Sequence, residues 1–291
     1  MTTQWLDLDT VPALPGLFMR AVLRRGITGK KLPDLGLRTQ ISIDPENLTA
    51  YRKVCGVVES SLLPPAYPHV LAFPLQLKLL TDKHFPFPLL GLVHLENSIQ
   101  VLRPLAGLGP FSISVHVENL QPHDKGAVFS VITRLEDQLG LLWQGDSRIL
   151  CRGVKLEGSP EAPLELPDVQ LTERAHWHAP SDIGRRYARV AGDYNPIHLS
   201  ALSAKLFGFP QAIAHGLWNK GRVLAELREQ LPDSGYQVDV RFKKPLLLPG
   251  DVVLKSSADA ASGQFTLTGT NDMPHLQGTW QPLDSSVQSP N

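Results

Sequence analysis

The chain of 291 residues balances 28 Lys and Arg against 28 Asp and Glu, so its formal net charge is zero and its pI is near 7.2. No overall field then draws it to nucleic acid or to anionic lipid, and no uncharged apolar run reaches the roughly 18 residues of a bilayer span. Cys55 and Cys151 stand far apart without metal-type spacing and read as buried thiols. Met1 to Asp9 has no cationic start of a secretory leader, so a soluble, cytoplasmic protein of one large or two ordinary domains is expected.

In chain order, Pro15 to Arg25 has the proline start and apolar spacing of a short helix. Asn47 to Gly56 reads as a second helix, with Asn47 as cap and Gly56 as terminator. The apolar stretch Leu62 to Leu80 holds Pro64, Pro65, Pro68 and Pro74, with Pro86 and Pro88 beyond it. Proline removes helical N–H donors, so this region is expected to pack without regular structure. Phe111 to Val117 alternates apolar and polar residues, and Ala127 to Leu135 and Leu141 to Cys151 continue a strand meander. From Val154 to Pro180 periodicity is lost in favour of Pro and Glu, which is how an interdomain connection reads. His176 and His178, flanking Trp177, are expected on a solvated loop there. The division is placed at 160, giving units 1–160 and 161–291.

In the second unit, Asp182 to Val190 reads as a helix and Ala214 to Leu231 as the longest helix of the chain. Its apolar face is carried by Leu217, Gly221, Val223, Leu224, Leu227 and Leu231. Tyr236 to Phe242, Asp251 to Ser257, Gln264 to Gly269 and Gly278 to Gln281 read as strands, and Asp284 to Asn291 as a frayed tail. Tyr51 to Gly56 matches Tyr187 to Gly192 in sequence, and Arg103-Pro104 echoes Lys244-Pro245, so the halves read as duplicated units of about 130 residues. In this alignment Val57 stands opposite Asp193 and Leu62 opposite His198.

Chemistry concentrates between these last helices. Gly192 and Asn195-Pro196 impose a tight turn around Asp193, and His198 follows within six positions. A carboxylate and an imidazole so placed suit proton transfer. The run Gly192-Asp193-Tyr194-Asn195-Pro196-Ile197-His198, with Ala214-His215-Gly216 and the later Arg241 to Asp251, resembles the signature of the MaoC-like, R-specific enoyl-CoA hydratase/dehydratase family. Ala191 stands where many members have serine, and Gln211 where proline is frequent.

That resemblance implies an α+β double hotdog, two antiparallel sheets each wrapped around a central helix, degenerate in the N-terminal half. It implies reversible hydration of trans-2-enoyl thioesters in fatty-acid metabolism, with Asp193 and His198 holding the water. Asn195 is expected to orient the water or the ring, and the Gly216 N–H to receive the thioester oxygen. His215 is left between catalysis and closing the helix start. Arg241, Lys243 and Lys244 are either charges defending a strand edge or contacts for coenzyme A phosphates. The first unit, lacking the Asp/His pair, is expected to accommodate an acyl chain in space left by a missing central helix. No metal and no organic cofactor are expected, coenzyme A or acyl carrier protein entering with the substrate. Monomer and homodimer are both open. The alternatives are a hotdog acyl-CoA thioesterase and a non-catalytic acyl-thioester binding protein.

Overall fold

Strand β3 (Leu92–Val101) pairs antiparallel with β8 (Tyr236–Phe242), Ile99 opposite Val238, and so joins two runs of strands into one eleven-stranded sheet. The structure, a computed structural model, describes residues 3–24, 26–161, 166–258 and 260–283. The terminal segment 284–291, residue 25 at the end of the first expected helix and 162–165 in the expected connection lie outside the described residues.

On one side of the seam the order is β1 (Gln4–Asp7), β2 (Leu35–Ile41), β4 (Phe111–His123), β5 (Gly126–Asp137), β6 (Gly140–Arg152) and β3. On the other it is β8, β11 (Pro274–Pro282), β10 (Gly263–Thr268), β9 (Gly250–Ser256) and β7 (Thr172–Ala179). Apart from the added β1, which pairs parallel with β2, the runs mirror one another strand for strand. Each curls round one buried helix, α3 (Tyr67–Leu80) in the first half and α6 (Gly216–Glu226) in the second. Short helices α2 (Pro45–Cys55) and α4 (Ile183–Ala191) occupy matching places beside them, α1 (Leu14–Leu23) lies against α3, and the one-turn α5 (Ala201–Lys205) lies between α4 and α6 in the chain. This is the double hotdog, with its two sheets continuous.

The expectation that Leu62 to Leu80 lacks regular structure is overturned. Pro68 falls in the first turn of α3, where its missing N–H has no helical partner to lose, and only Pro74 lies inside. An internal proline costs about 3 kcal/mol. Against that, ten residues of α3 are buried, among them Val70, Leu71, Leu75, Leu77 and Leu79, and full burial of each such side chain is worth about 1.5–3 kcal/mol. Burial wins, and the first half has its central helix. At 14 residues it is longer than α6, which ends at Glu226 and not at Leu231.

Other expectations change in detail. Asp44, not Asn47, caps α2 by accepting from the Glu46 N–H. Asn47 instead crosses to the second half, donating through Nδ2 to the Val190 carbonyl at 3.1 Å, while Tyr67 donates to its Oδ1. Residues Thr172 to Ala179 form edge strand β7, so His176, Trp177 and His178 sit on a strand; His178 Nδ1 lies 2.8 Å from Asp251, and the Arg222 guanidinium covers Trp177. Strands β1, β2 and β3 add to those expected from the sequence. Cys55 and Cys151 are free and buried. Among the described residues no helix is long and apolar enough to cross a membrane.

Candidate active site

Helix α4 stops at Gly192, whose φ of 75° is left-handed, and its Cα faces the Leu14 side chain so closely that a Cβ would stand 2.6 Å from it. The next residue, Asp193, therefore leaves the helix in a fixed direction. Its Oδ1 accepts the Asn195 N–H at 3.2 Å, and Asn195 Oδ1 accepts the Ile197 N–H at the start of a 3-10 turn, Pro196–His198. Asn195 thus shapes the loop, and its oxygen is already used within it.

His198 is delivered by that turn with Nδ1 2.8 Å from the Ile213 carbonyl. A carbonyl only accepts, so Nδ1 carries the hydrogen and Nε2 keeps its lone pair. His215, at the N-cap of α6, has Nε2 3.0 Å from the Asp193 carbonyl and 3.8 Å from Asp193 Oδ2. The two imidazoles stack with centroids 3.6 Å apart and planes at 25°, and the Tyr187 ring lies 4.9 Å from His215.

Electrostatics follow from burial. His198 and His215 are 8% and 3% exposed. Burial, and for His198 the neighbouring ring of His215, push their pKa values down to about 3 and about 4, so both are neutral at pH 7. Burial raises the Asp193 carboxyl, partly offset by His198 and by the Asn195 N–H, although 30% of its side chain remains open. Burial thus favours the uncharged form of both groups, the carboxyl raised and the imidazole lowered.

Gly216 opens α6, where the first N–H groups of a helix have no intrahelical partner and the dipole is positive. Its missing side chain has a packing cause: a Cβ would come within 2.8 Å of the Phe242 ring. Phe242 in turn packs on His94 at 4.9 Å. Arg241 does not stand free, since its Nε is 3.1 Å from Glu96 across the β3–β8 seam, whereas Lys243 and Lys244 are exposed. The first half covers the loop: Phe18 lies 6.2 Å from Tyr194 and 6.4 Å from Phe73, with Leu14 over Gly192.

Asp193, His198 and His215 bring ligand-type atoms within 4.8 Å of one another, the one such cluster among the described residues. His198 Nδ1 and His215 Nε2 face carbonyls and are N–H donors there, so the lone pairs left over are those of His198 Nε2, His215 Nδ1 and the carboxylate.

Sequence reasoning passed over Lys220, one turn into α6 and fully buried, whose Nζ donates to the Asn97 carbonyl at 3.0 Å and to Asn97 Oδ1 at 2.6 Å. A lysine on an otherwise amphipathic helix gives no signal of this. The aligned halves also correspond differently from the sequence match. Leu63 N–H donates to Leu105 O as Ala214 N–H donates to Leu246 O, and Leu62 bridges Ala106 as Ile213 bridges Leu247. Leu62 therefore matches Ile213, not His198. The second half carries an extra segment between Gly192 and Ile213, and that segment holds the catalytic candidates. Pro65, without an N–H, takes the place of Gly216.

The MaoC like domain matches residues 155–266. Over 250 residues the chain is 35% identical to 3-hydroxyacyl-thioester dehydratase X of Mycobacterium tuberculosis, covering 84% of this chain and 88% of that protein. It is 30% identical over 146 residues to a peroxisomal enoyl-CoA hydratase 2 of Arabidopsis thaliana, spanning 45% of this chain and 47% of that one. A crystal structure of the Mycobacterium tuberculosis protein HtdX superposes with a TM-score of 0.75 at 32% identity, covering 85% of this chain and 100% of that one. A MaoC-like dehydratase of Phytophthora capsici superposes at 0.71, covering 86% of this chain and 96% of that one; at 21% identity it speaks for the fold.

Proposed function

The chain belongs to the MaoC-like dehydratase family and is a hydro-lyase of fatty-acid metabolism; we propose that it is an R-specific trans-2-enoyl-thioester hydratase, working in reverse as an (R)-3-hydroxyacyl-thioester dehydratase. The observation that carries this reading is the Asp193–His198 pair, with His198 Nε2 uncommitted and Gly216 opening α6 beside it.

In this reading a water sits between the carboxylate and Nε2. Its oxygen bonds to Cβ while one of its protons passes to the pair, and electron density moves through Cα to the thioester oxygen. The Gly216 N–H and the helix dipole stabilise that oxygen. The pair then returns a proton to Cα, so H and OH have been added and Asp193 and His198 end as they began. Positioned acid–base groups of this kind contribute about 10²–10⁴-fold. Asn195 acts by holding the loop.

Lys243 and Lys244, exposed after Phe242, are the side chains we assign to coenzyme A phosphates, with Arg241 braced on Glu96 beside them. The division into a first unit at 1–160 and a catalytic unit at 161–291 belongs to the same reading. The first unit accommodates the acyl chain through Leu14, Phe18 and Phe73, which already stand over the loop, and not through an absent helix. The free, buried cysteines fit a reducing, cytoplasmic compartment. The test follows loss of enoyl-thioester absorbance on crotonyl-CoA and longer homologues, with chiral analysis of the product. An (S)-3-hydroxyacyl product, or no turnover at any chain length on either carrier, overturns the reading.

A further inference from the structure

We propose that His215 is a positioning residue: through its ring and its Nε2–H it holds Asp193 and His198 in mutual register. The proposal rests on the hydratase reading above.

Four contacts converge on this side chain. Nε2 donates to the backbone carbonyl of Asp193 at 3.0 Å, which fixes the residue that bears the carboxylate. The same nitrogen lies 3.8 Å from Asp193 Oδ2. One face stacks on His198 at 3.6 Å, and Tyr187 packs 4.9 Å away, itself 6.4 Å from Tyr51 of the first half. One residue further along the chain is Gly216. Asp193, His198 and Tyr187 are the titratable groups against the ring.

A helix cap does not explain the residue. His215 occupies the N-cap backbone position, yet its side chain makes no capping hydrogen bond, and Ser, Thr, Asp or Asn would serve that purpose better. Nor does ordinary packing explain it. Nδ1 is buried without a partner, a cost an apolar ring would avoid. What an apolar ring cannot supply is the donor to Asp193, and what a capping side chain cannot supply is the flat face against His198. Catalytic geometry is sensitive enough for this to matter, since a displacement of about 1 Å can cost about 10²-fold in rate.

The experiment uses the full chain and two variants that separate the functions. His215→Phe keeps the stacking face and deletes the donor. His215→Gln keeps an N–H donor and deletes the ring. With crotonyl-CoA, each variant is expected to lose about 10- to 100-fold in kcat at nearly constant KM, because each keeps only one of the two contacts. A fall in melting temperature with wild-type kcat in both variants would mark His215 as merely structural and overturn the proposal. Imidazole ¹⁵N NMR of the wild-type protein gives an answer independent of turnover: His215 should be the neutral Nε2–H tautomer at pH 7. A neutral Nδ1–H tautomer or an imidazolium there overturns the proposal even if the hydratase reading stands. A wild-type chain inactive on all enoyl thioesters sinks the hydratase reading and, with it, the assigned role.

Discussion

Gly56 and Gly192 end matching helices in the same left-handed turn, at φ of 65° and 75°, yet the chain behind them diverges at once. From Gly56 the first half reaches its sheet bridge at Leu62, six positions on; from Gly192 the second half needs 21 positions to reach Ile213. The catalytic candidates lie in the difference. Tyr51 and Tyr187, five residues before each glycine, meet at 6.4 Å, so the frame of the duplication runs through the junction of the halves. Frame and chemistry are therefore separable.

Removing either member of the pair should abolish catalysis and spare the fold. Asp193→Asn and His198→Ala are each expected to lower crotonyl-CoA hydration by at least about 10²-fold, with circular dichroism unchanged. Turnover near the wild-type rate in either variant contradicts the assignment.

Gly192→Ala should cost more than Gly56→Ala. Both place a Cβ in a left-handed turn, a penalty of about 1–2 kcal/mol. At Gly192 the added carbon also meets Leu14 Cδ1 at 2.6 Å with Phe73 behind it at 3.5 Å, whereas at Gly56 it meets only the guanidinium end of the Arg222 side chain. Urea denaturation of the two variants measures the difference, and only the Gly192 variant should lose activity as well.

At Gly216 the obstacle is the Phe242 ring. Gly216→Ala is expected to destabilise by about 1–3 kcal/mol through overpacking and to depress kcat. Pairing it with Phe242→Leu should recover stability, as read from the denaturation midpoint, because the smaller side chain vacates the space.

Acid should weaken the protein from about pH 6.5 downward. Burial holds His198 and His69 down to about 3 and His215 and His94 to about 4, below the 6.5 of an unfolded chain. The unfolded chain then binds protons first, so this stability is intact above pH 6.5 and is lost toward pH 3. The raised carboxyls of Asp193 and Asp146 act oppositely, two groups against four. A loss of at least about 2 kcal/mol between pH 7 and pH 5 is expected by urea titration; a flat profile would contradict it.

Lys220 predicts a trend on the alkaline side. Burial lowers its pKa from 10.5 to about 7, so between those values the unfolded chain holds the extra proton and stability contributed here rises with pH. The wild-type protein should gain on Lys220→Met by on the order of a few kcal/mol from pH 7 to pH 10. The difference between the two proteins is the measurement, since it cancels the buried tyrosines that titrate in the same range.

Much of this was legible in sequence because it depends on local chemistry. The alternation of Phe111 to Val117 needs only one wet and one dry face, and the left-handed stops at Gly56 and Gly192 need only glycine. Other features were not. Helix α3 hides behind Pro68 and Pro74, whose local cost is outweighed by burial visible only once the sheet is wrapped around it. The edge strand β7 is recognised through its pairing with β9, since Ala175, Trp177 and Ala179 alternate with polar residues over too short a run to stand out.

By itself the sequence determined which groups are present: a carboxylate and an imidazole five positions apart on a turn that glycine and proline enforce, and a second half-chain without them. The tertiary structure alone decided their partners. Ile213 fixes the tautomer of His198, His215 reaches back to the Asp193 carbonyl, and Leu14, Phe18 and Phe73 of the other half close over the loop. Contacts spanning 15 to more than a hundred residues follow from the burial of two helices inside one sheet, and no spacing within a short motif encodes them.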